Sequence, residues 1–203
     1  MNPDLLGSLG LAAGGAMASG LRVYGTVAAL GLLHRLGVLH LPPGLTVLAT
    51  TPVIAVASAL YAVEFTADKV PVVDSIWDAI HTFVRVPAAA VLGYTALGSV
   101  DEPWRTVAAL LCGGVALSVH GAKSGARLAV QASPEPLSNW GLSLGEDLSV
   151  AGLFWLIVAH PWVPIGLAAL LLVATLVAIR WIARSLHRLF VRERSAPSGQ
   201  RRN

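Results

Sequence analysis

The stretch Glu64–Pro87 reads EFTADKVPVVDSIWDAIHTFVRVP, and how it is read decides the fold. It holds six charged side chains and a histidine, in a chain where only 12% of the 203 residues are charged and 55% are hydrophobic. Taken as a helix, Asp74, Asp78, His81 and Arg85 stand at i, i+4, i+7 and i+11 and share one face. Ile76, Ile80, Phe83 and Val84 fall on the other. Glu64 and Asp68 are likewise four apart, just ahead of Lys69 and a loop-like VPVV. A carboxylate inside an apolar span is costly unless paired or hydrated, so such a stripe faces an aqueous cavity or opposite charges rather than lipid. His81 adds an imidazole, the side chain whose charge changes nearest neutral pH. The competing reading is a solvated loop and interfacial helix, in which these charges are ordinary. The helical phasing, and the immediate return to the apolar VPAAAVLGYTALG, point instead to a re-entrant element.

The surroundings of this stretch are those of an integral membrane protein. Mean hydropathy is +0.70, well above that of a soluble globular domain. Apolar runs of about 20 residues, enough to cross some 30 Å of hydrocarbon, recur along the chain. Breaks at HLPPGLT, DEPWR, SPEPLSNWG and HPWVP divide it into apolar spans at 4–40, 46–63, 74–100, 104–132, 142–160 and 162–190. A helix over 4–40 would measure roughly 55 Å, too long for one crossing, so two crossings or a re-entrant pair broken near Ser19-Gly20 are expected. Pro87 predicts a kink or break in the third span. The fold class is therefore all-α, a polytopic transmembrane protein without sheet. The lone Cys112 excludes an internal disulfide, and the start MNPDLLGSLG lacks the basic region of a cleaved secretory signal.

A weak internal repeat suggests two membrane halves, 1–100 and 101–190, followed by a basic, disordered tail at 191–203. Ser19-Gly20-Leu21-Arg22 matches Ser124-Gly125-Ala126-Arg127, each after a Gly-Gly pair and small residues, and RVPAAAVLGYTAL parallels WVPIGLAALLLVATL. Duplicated halves, inverted in particular, with broken or re-entrant helices are the mark of many transporters. Chance similarity between Gly- and Ala-rich segments is the competing explanation.

Net charge is +3, but residues 180–203 hold seven arginines against one glutamate, +6, which leaves the body at −3. Arg180, Arg184 and Arg188 form one helical stripe. The positive-inside bias puts the C-terminus in the cytoplasm and the chain in a cell's inner membrane. Lipid headgroups, not nucleic acid, are the expected neighbours of that tail.

A Gly-x-Arg after small residues suits the opening of a helix, where amide groups and a guanidinium together attract an anion. Arg22 and Arg127 therefore contact substrate, snorkel to the headgroups, or pair with an internal carboxylate such as Glu64 or Glu146. Glu146-Asp147 gives the second half its own carboxylates, and His120 and Lys123 precede Arg127 by about one turn or two. No HExxH, CxxC, GxSxG or phosphate-binding loop occurs, so neither an enzyme's catalytic set nor a cofactor is indicated. Asp74, Asp78 and His81 lack the second ligand cluster that a metal site needs.

The segments ASGLRVYGT, EFTADKVPVVDSIWDAIHTFVRVPAAA and SGARLAV through GEDLS together resemble the small bacterial integral membrane proteins grouped as domain-of-unknown-function family 4126, over about 10–180. The resemblance implies a polytopic membrane protein and no particular activity. The residues themselves predict a small transporter or channel, working as a homo-oligomer in the lipid bilayer and moving an ion or small solute, an anion included, with protons as the coupling ion. Its path would be lined by Glu64, Asp68, Asp74, Asp78, His81 and Arg85 with Arg22, Arg127 and Glu146. The alternatives are a lipid- or lipid-phosphate-handling protein, flippase or enzyme, and a non-catalytic membrane scaffold.

Overall fold

The computed structural model describes residues 3–131 and 136–194, with the side chains at 3, 71–72, 74–75, 131, 136–139 and 189–194 outside that description. The described residues form α1 (Pro3–Leu21), α2 (Val23–Arg35), a 3₁₀ helix (Pro43–Ala49), α3 (Thr51–Ala67), α4 (Pro71–Ala96), α5 (Glu102–Gln131), α6 (Pro136–Ala159) and α7 (Trp162–Arg194), and no strand occurs among them. Three helices are long and apolar enough to cross a membrane: Glu102–Val130, Trp140–Ala159 and Trp162–Arg188. A fourth crossing is present if the 3₁₀ helix and α3, bent 65° apart, count as one broken span. The chain is a helical membrane protein.

Exposed tryptophans mark its depth. Trp162 and Trp181 stand 19 residues apart on α7, roughly 28 Å at helical rise, which matches the hydrocarbon thickness. Exposed tryptophans also stand near the start of α5 (Trp104), near the start of α6 (Trp140) and near its end (Trp155), toward helix ends, where an interfacial aromatic belt is expected.

The span 4–40 is broken within two residues of the Ser19-Gly20 pair. Arg22 leaves helical geometry (φ −144°, ψ 84°), yet both of its own backbone groups stay paired. Its N–H donates to the Ala18 carbonyl at 2.8 Å, closing α1, and its carbonyl accepts from the Thr26 N–H at 2.9 Å, opening α2. The Thr26 hydroxyl adds a second donor to that carbonyl at 2.7 Å. Such internal satisfaction is what permits a broken helix at membrane depth.

α1 is the central strut, packed against α4, α5, α6 and α7. Its small residues let these neighbours come close. A Cβ at Gly20 would stand 2.7 Å from the Ala116 carbonyl oxygen, so α5 can approach there only because residue 20 is glycine. Leu11, Ala12, Ala16, Leu92, Val115, Ala116, Phe154 and Ile157 form the apolar core around it.

Two expectations for α4 are corrected. The loop before it is only Asp68–Val70, because Pro71 occupies the first helical turn, where its missing N–H has no partner to lose. VPVV is thus mostly helix. Pro87 does not break the helix, which continues from Pro71 to Ala96, and this residue lies on the exposed side. The face assignment holds where side chains are described. Ile76, Ile80 and Phe83 are exposed, Phe83 at 83%, while Asp78, His81 and Arg85 are buried.

Residues 195–203 lie outside the described residues, and α7 runs as helix to Arg194.

Candidate functional site: a buried charge network

Each helix that meets near the α1–α2 break contributes ionisable groups, and they converge in one network with two lobes. The first is built around Arg85 of α4, which is wholly buried. One terminal nitrogen donates to Glu64 Oε1 at 2.6 Å, and the other reaches Asp78 Oδ1 at 2.9 Å and His120 Nδ1 at 2.6 Å. Glu64 comes from the last turns of α3, Asp78 lies two turns earlier on α4, and His120 comes from α5. Helical phasing places 78 and 85 seven residues apart on one face, so one guanidinium fork serves a carboxylate of its own helix and groups from two others.

The hydrogen bonds fix both histidine tautomers. Arg85 has only protons to offer, so His120 Nδ1 accepts and Nε2 carries the hydrogen, donating to Thr82 Oγ1 at 2.7 Å. Thr82 in turn donates to the Asp78 carbonyl at 3.0 Å. His81 Nδ1 donates to the Trp77 carbonyl at 2.7 Å and its Nε2 accepts from the Tyr24 hydroxyl at 3.0 Å. The Trp77 ring stacks on the imidazole with centroids 4.2 Å apart. The Arg85 contact thereby keeps His120 Nδ1 free of a proton.

The second lobe gathers on Arg22 and Arg127. The break puts Arg22 side-on to α6 and the end of α3, where its guanidinium pairs with Asp68, with Glu146 Oε2 at 3.2 Å and with Asp147 Oδ1 at 3.0 Å. It also donates to the Ser143 hydroxyl at 2.9 Å, and Tyr61 steadies Asp147 with a hydroxyl donation at 3.0 Å. Arg127 holds Glu146 Oε1 through two nitrogens, at 2.8 and 3.1 Å, and pairs with Asp68 Oδ2 at 3.2 Å.

Lys123 joins the lobes. Its ammonium lies 3.4 Å from Asp78 Oδ1 in the first lobe, 3.2 Å from Glu146 Oε2 and 3.9 Å from Asp68 Oδ2 in the second, and it donates to the Leu21 carbonyl at 3.3 Å, the last residue of α1.

Four cations (Arg22, Arg85, Lys123, Arg127) thus face five carboxylates (Glu64, Asp68, Asp78, Glu146, Asp147), a net −1, with Asp147 the most exposed at 21% of its side chain. Losing one member of such a set leaves an uncompensated buried charge and costs about 3–5 kcal/mol. Satisfaction is incomplete all the same. Glu64 Oε2, Asp68 Oδ1, Arg85 Nε and Trp77 Nε1 are buried without a hydrogen-bond partner. Because each carboxylate is turned to a cation, no three metal-ligating side chains among the described residues form an ion site.

Of the residues singled out in the sequence, Glu64, Asp68, Asp78, His81, Arg85, Arg22, Arg127 and Glu146 all come together here. The Asp74 side chain lies outside the described residues. Arg127 does not open a helix as its motif suggests: α5 continues through Ser124-Gly125, and only Arg22 stands at a helix start. Internal pairing, one of three readings for both arginines, is what the geometry contains. Sequence reasoning left Lys123, His120, Asp147, Ser143, Tyr24 and Tyr61 out of the site. The signal for two of them was present, because His120 and Lys123 stand with Arg127 at i, i+3 and i+7, the same phasing that marked α4.

On the side opposite the network, a cavity of about 870 Å³ opens between the start of α1, the 3₁₀ segment and the α4–α5 and α6–α7 turns, reaching Leu11 and bordered by Thr95, Arg105 and Pro161. The apolar core separates it from the charges.

Fold and site together define a small helical membrane protein that concentrates ionisable groups around the α1–α2 break, on the side away from the cavity. The chain belongs to the family described as domain of unknown function DUF4126, whose model matches residues 9–181 and so takes in the whole network. No curated protein and no solved structure matches it.

Proposed function

We infer that the protein is a small transporter that moves an ion or small solute across the membrane, with the charge network as its gate on one side and the 870 Å³ cavity as its open vestibule on the other. The observation that carries this reading is Lys123, placed between Asp78 and Glu146 at 3.4 and 3.2 Å. An ammonium with two alternative carboxylates can exchange one for the other at small cost, which is what a gate of two arrangements needs. Intramembrane ionisable groups of this density mark substrate or proton pathways far more often than scaffolds. A vestibule closed at its base by Leu11 and the core, rather than a continuous pore, favours a carrier over a channel. His81 and His120, buried beside the first lobe, are the groups through which protons would couple.

The finer topology belongs to the same reading. Arg22 and Arg127, one from each half, turn onto the same Asp68 and Glu146, but α1 and α5 both run from the cavity side toward the network, so these two motifs lend inversion no support. The arginine stripe of α7 supports a cytoplasmic C-terminus in a cell's inner membrane, and the exposed apolar faces of α5 and α7 leave room for a homo-oligomer.

Purified protein in liposomes with an entrapped pH dye, driven by a potassium–valinomycin potential, tests the reading. Wild type should carry protons and Asp78→Asn should lose most of that flux while remaining monodisperse. Undiminished flux in Asp78→Asn removes the network from the path, and no flux in wild type removes proton coupling.

A further inference from the structure

Between α5 and α6 lies a cavity of about 280 Å³, bordered by Lys123, Arg127 and Glu146 and, on α6, by Gly141, Gly145 and Ser149. We propose that this cleft binds the phosphate-bearing headgroup of an anionic phospholipid from the leaflet into which α7 emerges. The cleft shares Lys123, Arg127 and Glu146 with the network, but the proposal stands whether or not the protein transports anything.

Three independent features carry it. The first is depth. Lys123 lies 19 residues beyond Trp104 and Arg127 lies 23, roughly 28 and 34 Å along α5, which brackets the far boundary of a hydrocarbon layer about 30 Å thick. The cleft floor therefore sits where phospholipid phosphates sit, and the exposed Trp140 beside Gly141 marks the same level on α6.

The second is charge. The floor presents two cations and one carboxylate, and both cations are at least nine-tenths buried, at 5% and 2% exposure. They are desolvated donors held in place by Glu146, Asp68 and Asp78 rather than flexible surface groups. A guanidinium with an adjacent ammonium is the arrangement that recognises a phosphate diester.

The third is the wall. Where glycines of this protein serve helix packing, as at Gly20, an added Cβ would strike a neighbour. At Gly141 and Gly145 it would meet nothing within 4 Å. These glycines keep a cleft open, and they lie one turn apart on the face that leads down to the cations. A phosphate entering there takes the Lys123 donor now turned to Glu146 Oε2 at 3.2 Å, and leaves the pairing of Arg127 with Glu146 Oε1 in place.

Native mass spectrometry of the detergent-solubilised full chain, titrated with phosphatidylglycerol, with phosphatidylcholine or with millimolar inorganic phosphate, tests the proposal. The expected result is one retained phosphatidylglycerol per chain, preferred about tenfold over phosphatidylcholine, and undisturbed by inorganic phosphate. Gly145→Leu, which puts an apolar side chain into the cleft where an added Cβ meets nothing within 4 Å, should abolish that preference. Gly152→Leu, seven residues or roughly 10 Å deeper on the same helix and also open around its Cβ, should keep it. Equal retention of the two lipids by wild type would overturn the proposal. So would inorganic phosphate displacing the lipid, which makes the ligand a free anion. Equal losses in Gly145→Leu and Gly152→Leu, or a change of oligomeric state in Gly145→Leu with lipid preference intact, would assign the face to acyl chains or to a second copy instead.

Discussion

The charged face of α4 and the arginine stripe of α7 are built on the same helical spacing and end in opposite environments. On α4, Asp78, His81 and Arg85 are turned inward and are at most 6% exposed, while on α7 Arg180, Arg184 and Arg188 stand exposed. What separates them is sign. A stripe of mixed sign neutralises itself and its neighbours, so it can leave water if each group is paired. A stripe of one sign cannot, and must stay with solvent and headgroups. In an apolar chain the sign pattern along a helix face therefore says more about burial than the number of charges does.

The largest expected effect comes from breaking the mixed-sign face at its centre. Arg85→Ala leaves Glu64 and Asp78 buried without their main partner and should cost about 3–5 kcal/mol, read in detergent as a fall in Tm on the order of 10 °C for a chain of this size. Arg85→Lys should recover only part of it, because one ammonium cannot serve Glu64, Asp78 and His120 together. If Arg85→Ala melts with wild type, the pairing is cosmetic and the comparison fails.

Cutting the link between the lobes comes next. Lys123→Met should destabilise by about 2–4 kcal/mol, and its combination with Asp78→Asn should fall short of the sum of the two single losses by about 1 kcal/mol, as contacting pairs do. Strict additivity in thermal or denaturant melts would mean that Lys123 does not bridge.

His120 sharpens the account at a smaller scale. Asparagine can present a carbonyl to Arg85 and an amide N–H to Thr82, so His120→Asn should cost at most about 1 kcal/mol. His120→Leu, which leaves Arg85 and Thr82 short of a partner, should cost about 1–3 kcal/mol in the same melts.

The smallest effect on stability belongs to α7. Replacing Arg180, Arg184 and Arg188 by glutamine should change stability by less than about 0.5 kcal/mol per site. Binding of the detergent-solubilised chain to anionic rather than neutral vesicles should nonetheless weaken by about 1 kcal/mol per charge removed. A large loss of stability would mean that the stripe is paired within the fold.

Much of this was legible in the sequence, for physical reasons that differ by element. The α1–α2 break was readable from length, because no single crossing accommodates residues 4–40, and the inward face of α4 was readable from phasing. The second lobe was harder. Arg127 shares a motif with Arg22, but Ser124-Gly125 permits a break without demanding one, and α5 keeps its backbone bonds through it. Lys123 and His120 sit among Gly and Ala residues that carry little hydropathy contrast, so their face shows only once α4 stands opposite. Asp147 and Tyr61, 86 residues apart, meet through tertiary packing that no local pattern encodes.

The proposed reading depends on α4 lying in the bilayer with its charged face inward and its apolar face to lipid. A nitroxide attached at Phe83→Cys, on a chain whose native Cys112 is buried, reads this directly through collision with oxygen, which partitions into hydrocarbon, and with a water-soluble nickel complex. The account predicts frequent oxygen and scarce nickel collisions for the reconstituted protein. Nickel collisions matching those of a label on an aqueous loop would place α4 in solvent and contradict it.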